Sequence, residues 1–378
     1  MAATPLTEVA QRLLANVDAK RGDYGDEMML VAVDSYRNPQ QFDVEIERIF
    51  RRSPLMVALS CDIPDTGSYT SLDIADRPIV VIRGNDGVAR AFINACRHRG
   101  APVVDSCFGK GRRFTCPYHA WVYDTQGKLT SITGPEAFEG MDVSGLIELP
   151  TAERAGAVFA VLTPGATFDI DDWLGDMAGG LEMLQLDKLF RHDVETSLPS
   201  GNWKATADGY VDGYHLGYLH GTTIGTKSIT NRNTYDLWGP HLRLGFANKP
   251  MVTMRDEPVE AWDLLQAMSL VHYIFPNISI SGQPDGGLMV SRLFPGPTVD
   301  QCRVVQYQYF RQPLMTDEAR DEAERKRALY ERVTYEEDFV TVMKIGRRFD
   351  ALADDVFRFG RNERGNQNLH RWVAQLTA

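Results

Sequence analysis

The chain has 378 residues, 43% of them hydrophobic, and a formal net charge of −11. That content can fill two sizeable cores, so two domains are expected, and the acidic balance argues against nucleic acid as a partner. No run reaches the roughly 18 apolar residues of a membrane span. The start, Met1 to Leu6, lacks the basic and apolar segments of a secretory leader. An odd count of five cysteines points to reduced thiols in a cytoplasm and not to a disulfide framework.

Residues 1–51 carry an amphipathic stretch, Leu6 to Leu14, and a helical one, Pro39 to Phe50. From 52 to 165 the pattern changes to short strands separated by turns. Pro78 to Arg83 runs into Gly84-Asn85-Asp86-Gly87, a strand entering a hairpin turn, and Val122 to Leu129 repeats the pattern. Ala157 to Leu162 reads as a further strand, which makes this a small antiparallel β domain. Residues 166–378 alternate helices and strands. Ile170 to Leu189 and Trp203 to Leu219 read as helices, Leu270 to Ile280 and Cys302 to Arg311 as long strands, and Glu318 to Ala353 as a charged helical section. The expected class is α+β, with the second domain an antiparallel sheet covered by helices.

Within the β domain stand Cys96-Arg97-His98 and, after residues 99–115, Cys116-Pro117-Tyr118-His119. Two Cys/His pairs are what a [2Fe–2S] centre with mixed ligation needs: two thiolates on one iron and two imidazoles on the other. In an extended tip, residues i and i+2 point the same way, which suits the first pair. Pro117 favours the tight turn that the second requires. Zinc is the competing reading, since Cys₂His₂ sets also bind it, although zinc sites favour Cys/Cys and His/His pairs over two mixed ones. Cys107 lies between the pairs without a histidine at ligand spacing and is expected to be a small buried hydrophobe.

About a hundred residues on come Asn202-Trp203-Lys204, Asp208, Asp212-Gly213-Tyr214-His215 and His220. On a regular helix Asp212 and His215 share a face, so the carboxylate can accept a hydrogen bond from the imidazole. His215 and His220 would sit about 140° apart, a poor fit to one metal unless the helix ends or distorts between them. Gly213 and Gly217 make such a distortion plausible.

With both constellations quoted, the chain resembles the large (α) subunit, or oxygenase component, of Rieske non-haem iron aromatic ring-hydroxylating oxygenases. The text around the first motif, Asn94 to Gly100 and Cys116 to Trp121, is similar to Rieske domains. The resemblance implies a domain of 52–165 holding a Rieske cluster on Cys96, His98, Cys116 and His119. It also implies a catalytic domain of 166–378 holding mononuclear Fe(II), with 1–51 an arm packed on that domain. It implies His215 and His220 as iron ligands, and Asp212 as the carboxylate that links this iron to the cluster of a neighbouring subunit. A two-histidine, one-carboxylate triad needs a third ligand. Tyr335 to Val340 resembles the family's acidic segment, which selects Asp338, with Asp350, Asp354 and Asp355 as nearby alternatives.

Further implications are electrons from NAD(P)H through a ferredoxin or flavin reductase, O₂ and a small aromatic substrate, and an α3 or α3β3 assembly. Phe359 to Trp372 also resembles aromatic-hydroxylating members, and Tyr210, Val211, Leu216, Val271, Tyr273 and Phe275 are candidates to line a pocket. One departure is Asp208-Gly209, where many α subunits carry Glu-Asn. A locally basic collar, Arg97, Arg99, Lys110, Arg112 and Arg113, either steers the electron donor or makes salt bridges between subunits. The alternative from another class is a Rieske electron carrier whose second domain is only scaffold.

Overall fold

A computed structural model describes residues 4–192 and 194–378. The chain divides into two compact units, Phe50–Trp173 with Gln185–Lys188, and the chain up to Ile49 with Leu174–Leu184 and Leu189–Ala378. Mixed helix and antiparallel sheet is the class expected from the sequence. Among the described residues no helix is long and apolar enough to cross a membrane.

The smaller unit is all β in its core. A five-stranded antiparallel sheet runs in the order Glu148–Leu149, Ala89–Ile93, Arg77–Arg83, Ser68–Ile74, Phe108–Lys110. A separate three-stranded sheet of Arg113–Thr115, Val122–Asp124 and Leu129–Ser131 carries the second motif. Val80, Ile82, Phe92, Phe114, Trp121 and Tyr123 form one apolar cluster together with Cys96 and Cys116. The motif loops therefore spring from the core itself. Burial of these large side chains supplies the main driving force for fixing them.

The larger unit is built on a long antiparallel meander. Its order is Phe190–Arg191, Cys302–Phe310, Gly287–Pro295, Ile278–Gln283, Met268–Ile274, His241–Asn248, Ser228–Trp238. Helix Leu6–Asp18 lays Val9, Ala10 and Leu13 on this sheet against Ala247, Met268 and Leu270. Helix Trp203–Val211 starts at Asn202, whose side chain accepts from the Lys204 and Ala205 amides, an N-cap worth about 1 kcal/mol. Lys204 is fully buried and ion-paired with Glu45 of helix Pro39–Glu45, which also accepts from Trp203 Nε1 at 2.8 Å. That pairing pins the start of the helix that leads to the site.

Three sequence expectations are corrected. Leu270 to Ile280 is not one strand but a hairpin, turning at Pro276-Asn277 between Met268–Ile274 and Ile278–Gln283. Proline has no donor for the ladder and favours the turn. Ile170 to Leu189 breaks into Ile170–Leu174 and Met177–Leu184, because Gly175 takes a left-handed conformation (φ +50°) between them. Trp203 to Leu219 stops being helical at Val211, and the short 3₁₀ turn His215–Gly217 follows.

Candidate functional site

The cluster loops share one backbone design. In the first, Cys96 N donates to Ala101 O (2.8 Å) and Gly100 N to Cys96 O (2.9 Å). In the second, Cys116 N donates to Trp121 O (2.8 Å) and Ala120 N to Cys116 O (3.0 Å). The fifth residue of each loop, Gly100 or Ala120, has positive φ, +76° and +55°. Glycine takes that conformation freely, whereas alanine in the second loop carries backbone strain there. Asn94 locks the first loop further, accepting from Val103 N and Val104 N and donating to Val104 O.

These loops bury both cysteines and bring His98 Nδ1 within 3.1 Å of His119 Nδ1. Trp121 stacks on His98, with ring centroids 5.0 Å apart. Desolvation first, then the charges of His98 and Arg99, holds His119 below the ordinary imidazole value, which favours the neutral ring a metal requires. Two buried thiols and two converging imidazoles fit a [2Fe–2S] cluster with Cys₂His₂ ligation.

Tyr123 was not singled out from the sequence. Its hydroxyl accepts from Arg97 N (2.9 Å), which leaves its own proton for Cys96 Sγ at 3.2 Å. A hydrogen bond to a cluster sulfur is one of the protein's levers on potential. Cys107, expected to be buried, is exposed, just before the edge strand Phe108–Lys110.

In the larger unit, His215, His220 and Asp338 each place one donor atom within 4.8 Å of the others. His215 Nε2 and His220 Nε2 are 3.1 Å apart, and Asp338 Oδ1 lies 3.1 Å from His220 Nε2 and 3.6 Å from His215 Nε2. Each ring has its other nitrogen engaged. His215 Nδ1 meets Asp212 Oδ2 at 2.8 Å, and His220 Nδ1 meets Glu337 Oε2 at 2.5 Å. Carboxylates accept only, so both Nδ1 atoms carry the proton in the neutral rings and both Nε2 atoms are bare lone pairs. Three acceptors then face one another with no proton among them, an arrangement that calls for a cation.

The route to this geometry differs from the expected one. Asp212 is not on the helix; it is extended (φ −94°, ψ 124°), and its Oδ1 accepts from Tyr214 N at 2.6 Å. This turn, not a shared helix face, brings Oδ2 to His215. Nor do Gly213 and Gly217 serve flexibility. A Cβ on Gly213 would meet Asn233 Nδ2 at 2.0 Å, and one on Gly217 would meet Thr230 Oγ1 at 1.9 Å. The segment lies flush against strand Ser228–Trp238, and only glycine permits that approach.

Glu337 and Asp338 are consecutive, yet both address His220. Residues one apart on an α-helix do not face one partner. Here they sit in the π-helical stretch Arg332–Phe339, which widens the turn. Thr223 Oγ1 donates to Glu337 Oε2 at 2.8 Å and holds it in place. Asp350, Asp354 and Asp355 are exposed and lie outside the donor group; Asp350 pairs with Arg37 and Asp355 with Arg358. Asp208 points into a buried polar cluster, accepting from Tyr36 at 2.8 Å and meeting His370 at 3.0 Å.

Burial alone would lower the His215 and His220 values. The hydrogen bonds and charges of Asp212 for His215, and of Asp338 and Glu337 for His220, more than offset it, so both stand above the ordinary imidazole value without metal. A raised folded-state value means these ion pairs stabilise the metal-free protein fully below about pH 6.5 and fade as pH rises through the raised values. Metal must displace those protons, so Fe(II) uptake should strengthen from pH 6 to 8. Glu337→Gln should shift that pH dependence downward and weaken saturating affinity about 10–100-fold. Isothermal titration with Fe(II) under anaerobic conditions reads both effects.

The donors border a cavity of about 430 Å³. Of the six pocket candidates, Tyr210, Leu216 and Val271 line it. Val211, Tyr273 and Phe275 are buried core instead; Val271 and Tyr273 share a strand face, but only Val271 reaches the cavity. Phe246, Phe310 and Tyr330 join the wall, as does Gly209, whose missing Cβ would meet nothing within 4 Å. The Gly209 departure therefore leaves open space in the wall.

A small β unit with two Cys/His loops and a sheet-and-helix unit with a facial triad of acceptors define a two-centre iron protein. Residues 53–149 match the Rieske [2Fe-2S] domain, and residues 186–378 match the ring hydroxylating alpha subunit (catalytic domain). The chain belongs to the ring-hydroxylating α-subunit family, whose catalytic domains bind mononuclear iron. It is 32% identical over 211 residues to the anthranilate 1,2-dioxygenase large subunit of Acinetobacter baylyi, covering 53% of this chain and 44% of that one. It is 32% identical over 189 residues to the glycine betaine monooxygenase oxygenase subunit of Chromohalobacter salexigens, covering 49% and 42%. The matched stretch thus spans less than half the length of these relatives. In fold it is similar to the quaternary ammonium Rieske monooxygenase CntA in complex with L-carnitine, with a TM-score of 0.79, 22% identity and full coverage of both chains. It is also similar to naphthalene 1,2-dioxygenase from Rhodococcus sp. bound to indole, with a TM-score of 0.76, 21% identity and coverage of 100% and 99%.

Proposed function

We propose that this chain is the terminal oxygenase component of an electron-fed system that hydroxylates a small aromatic substrate with O₂, either once or by cis-dihydroxylation. The observation that carries it is the acceptor triad of His215, His220 and Asp338 bordering a ring-lined cavity. When bound, the cluster supplies single electrons and Fe(II) supplies O₂ activation beside the substrate. His215, His220 and Asp338 hold the iron, while Asp212 and Glu337 fix the tautomers that aim Nε2 at it. Cys96, His98, Cys116 and His119 hold the cluster. Tyr210 and Tyr330, whose hydroxyls burial keeps protonated, offer ring faces and not charge to the substrate.

In this reading electrons come from NAD(P)H through a ferredoxin, a flavin reductase or both. The assembly is a head-to-tail ring, α3 or α3β3, in which Asp212 joins His215 to His119 of the neighbouring copy. The odd remainder of three cysteines outside the cluster ligands, Cys61, Cys107 and Cys302, supports a cytoplasmic setting. The names of relatives acting on glycine betaine and carnitine favour a second substrate reading, a quaternary ammonium compound. Incubation of reduced, iron-loaded protein with ring substrates and isotopically labelled O₂ tests the proposal. Label should enter a ring hydroxyl; its absence from every ring product, with both centres loaded, contradicts it.

The collar takes a definite form. Arg97, Arg99, Arg112 and Arg113 are exposed, Arg99 packing on the Tyr118 ring, while Lys110 pairs with Asp65 at 2.8 Å. Reversing Arg112 and Arg113 to glutamate should lower the donor's association rate about tenfold or more at low salt and flatten its salt dependence. Stopped-flow reduction of the cluster measures both, and an unchanged rate would assign the collar a structural role.

A further inference from the structure

The charges around the cavity are sorted by place. Among the described residues, the acids that line it are Asp212 and Asp338, both engaged with the two histidines. The other charged side chains that line it among the described residues are Lys227 and Lys326, both exposed. Lys326 heads a line of residues spaced by four, Lys326, Tyr330, Thr334 and Asp338, running along helix Asp317–Glu331 into the π-helical stretch. At about 1.5 Å per residue in the α-helical part and less in the π-helical part, Lys326 and Asp338 stand on the order of 15 Å apart along that line. Lys326 Nζ is lightly held, 3.3 Å from Gly286 O and 3.6 Å from the half-exposed Glu322. Such a pair contributes little in water and yields readily to a ligand. Lys227 has no ion pair among the described residues.

The cavity wall also holds an unanswered polar group. Val271, Ser281, Met289 and Gln308 form one cross-strand row on the cavity face of the sheet. Gln308 is 5% exposed, and its side-chain oxygen has no hydrogen-bond partner. A buried amide oxygen left unpaired is uncommon, and the two ends of an amide can exchange by a flip, so the group can meet either a donor or an acceptor. Phe246 and Phe310 add ring faces to the same wall, Phe246 standing across from Ser269.

We infer that the cavity takes a ring-bearing organic anion, its carboxylate met by the exposed lysines of the lining, Lys227 and Lys326, and a polar substituent against Gln308. The inference rests on the oxygenase reading of the same cavity and adds the sign of the substrate's charge. Aromatic walls alone would also suit a quaternary ammonium head. That head would find no carboxylate away from the histidine cluster, and it would approach past two ammonium groups. Electrostatic complementarity therefore selects the anion.

The test uses the full protein loaded with Fe(II) and exposed to nitric oxide, whose iron–nitrosyl resonance responds to molecules bound beside it. The probes are benzoate, phenylacetate, 3-phenylpropanoate, their three primary amides, and phenethyltrimethylammonium. At least one carboxylate should perturb the signal and bind tenfold or more tightly than its amide, with the ammonium probe weakest. The double variant Lys227→Met, Lys326→Met should erase the carboxylate's advantage and leave amide binding unchanged, while Gln308→Leu should weaken both. Iron and sulfide content checks that each variant is folded. Tightest binding by the ammonium probe, no response to any acid, or an undiminished acid-to-amide ratio in the double variant would overturn the inference and leave the oxygenase reading standing. Failure to form any nitrosyl signal would instead overturn the iron-site reading, and this inference with it.

Discussion

Asp338→Ala should strip the larger unit of its iron while leaving the cluster intact. Among the described residues, Asp338 Oδ1 is the one carboxylate oxygen that faces both Nε2 atoms, at 3.1 Å and 3.6 Å. Without it two imidazoles remain, and a divalent ion loses its one anionic ligand. Loss of a mere supporting partner costs about 10–100-fold in metal affinity, so loss of this ligand should cost on the order of 10³-fold or more. Iron content should fall by one per chain, sulfide content and the cluster's visible spectrum should not move, and product formation should vanish. The aspartate's removal also takes a counter-charge from His220, so the metal-free variant should release the His220 proton at lower pH. Retention of the third iron would move the ligand role elsewhere, with Glu337 the first place to look.

The second large effect belongs to Asp212. One of its oxygens is committed to Tyr214 N and the other to His215 Nδ1, so the side chain has a single rotamer and a defined partner on each side. Asp212→Ala should keep both centres loaded once Fe(II) is supplied in excess, to offset the affinity loss of about 10–100-fold that removing the His215 partner brings, yet lower turnover by about 10²-fold. The reduced cluster should then persist in the presence of substrate and O₂ in a single-turnover experiment. Asp212→Asn, which keeps the shape without the charge, should fall between the two. A variant that forms product at the full rate would remove Asp212 from any role in joining the centres. Mixed assemblies sharpen the test. Subunits lacking His119 and subunits lacking Asp338 should each be inactive alone, and should regain activity together only if electrons cross between subunits.

What could be read from the sequence depended on how local each feature is. The cluster loops were legible because each pair lies within four residues and its turn is set by Pro117 or Gly100. His215 and His220 were legible as a pair, but the expected helix through Asp212 was not the device that orients them. Helix Trp203–Val211 ends early because the next segment must press against Asn233 and Thr230, a tertiary demand that local propensity does not record. Glu337 escaped notice because ordinary helical spacing turns it away from the partner of Asp338. Only the π-helical stretch brings both to one imidazole. Tyr123 and Gln308 were equally silent, since an unremarkable strand residue gains its meaning from what lies across the sheet. The cavity was half legible: alternation gives the faces of Met268–Ile274, but not which face another element covers.

The most direct test of the two-centre account is the ratio of iron to acid-labile sulfide in the purified protein, before and after anaerobic incubation with Fe(II) and desalting. The account predicts three irons to two sulfides per chain once Fe(II) has been supplied, with Asp338→Ala held at two to two. A wild-type ratio that stays at two to two after loading would contradict it, and would make the chain a Rieske electron carrier with an idle second unit.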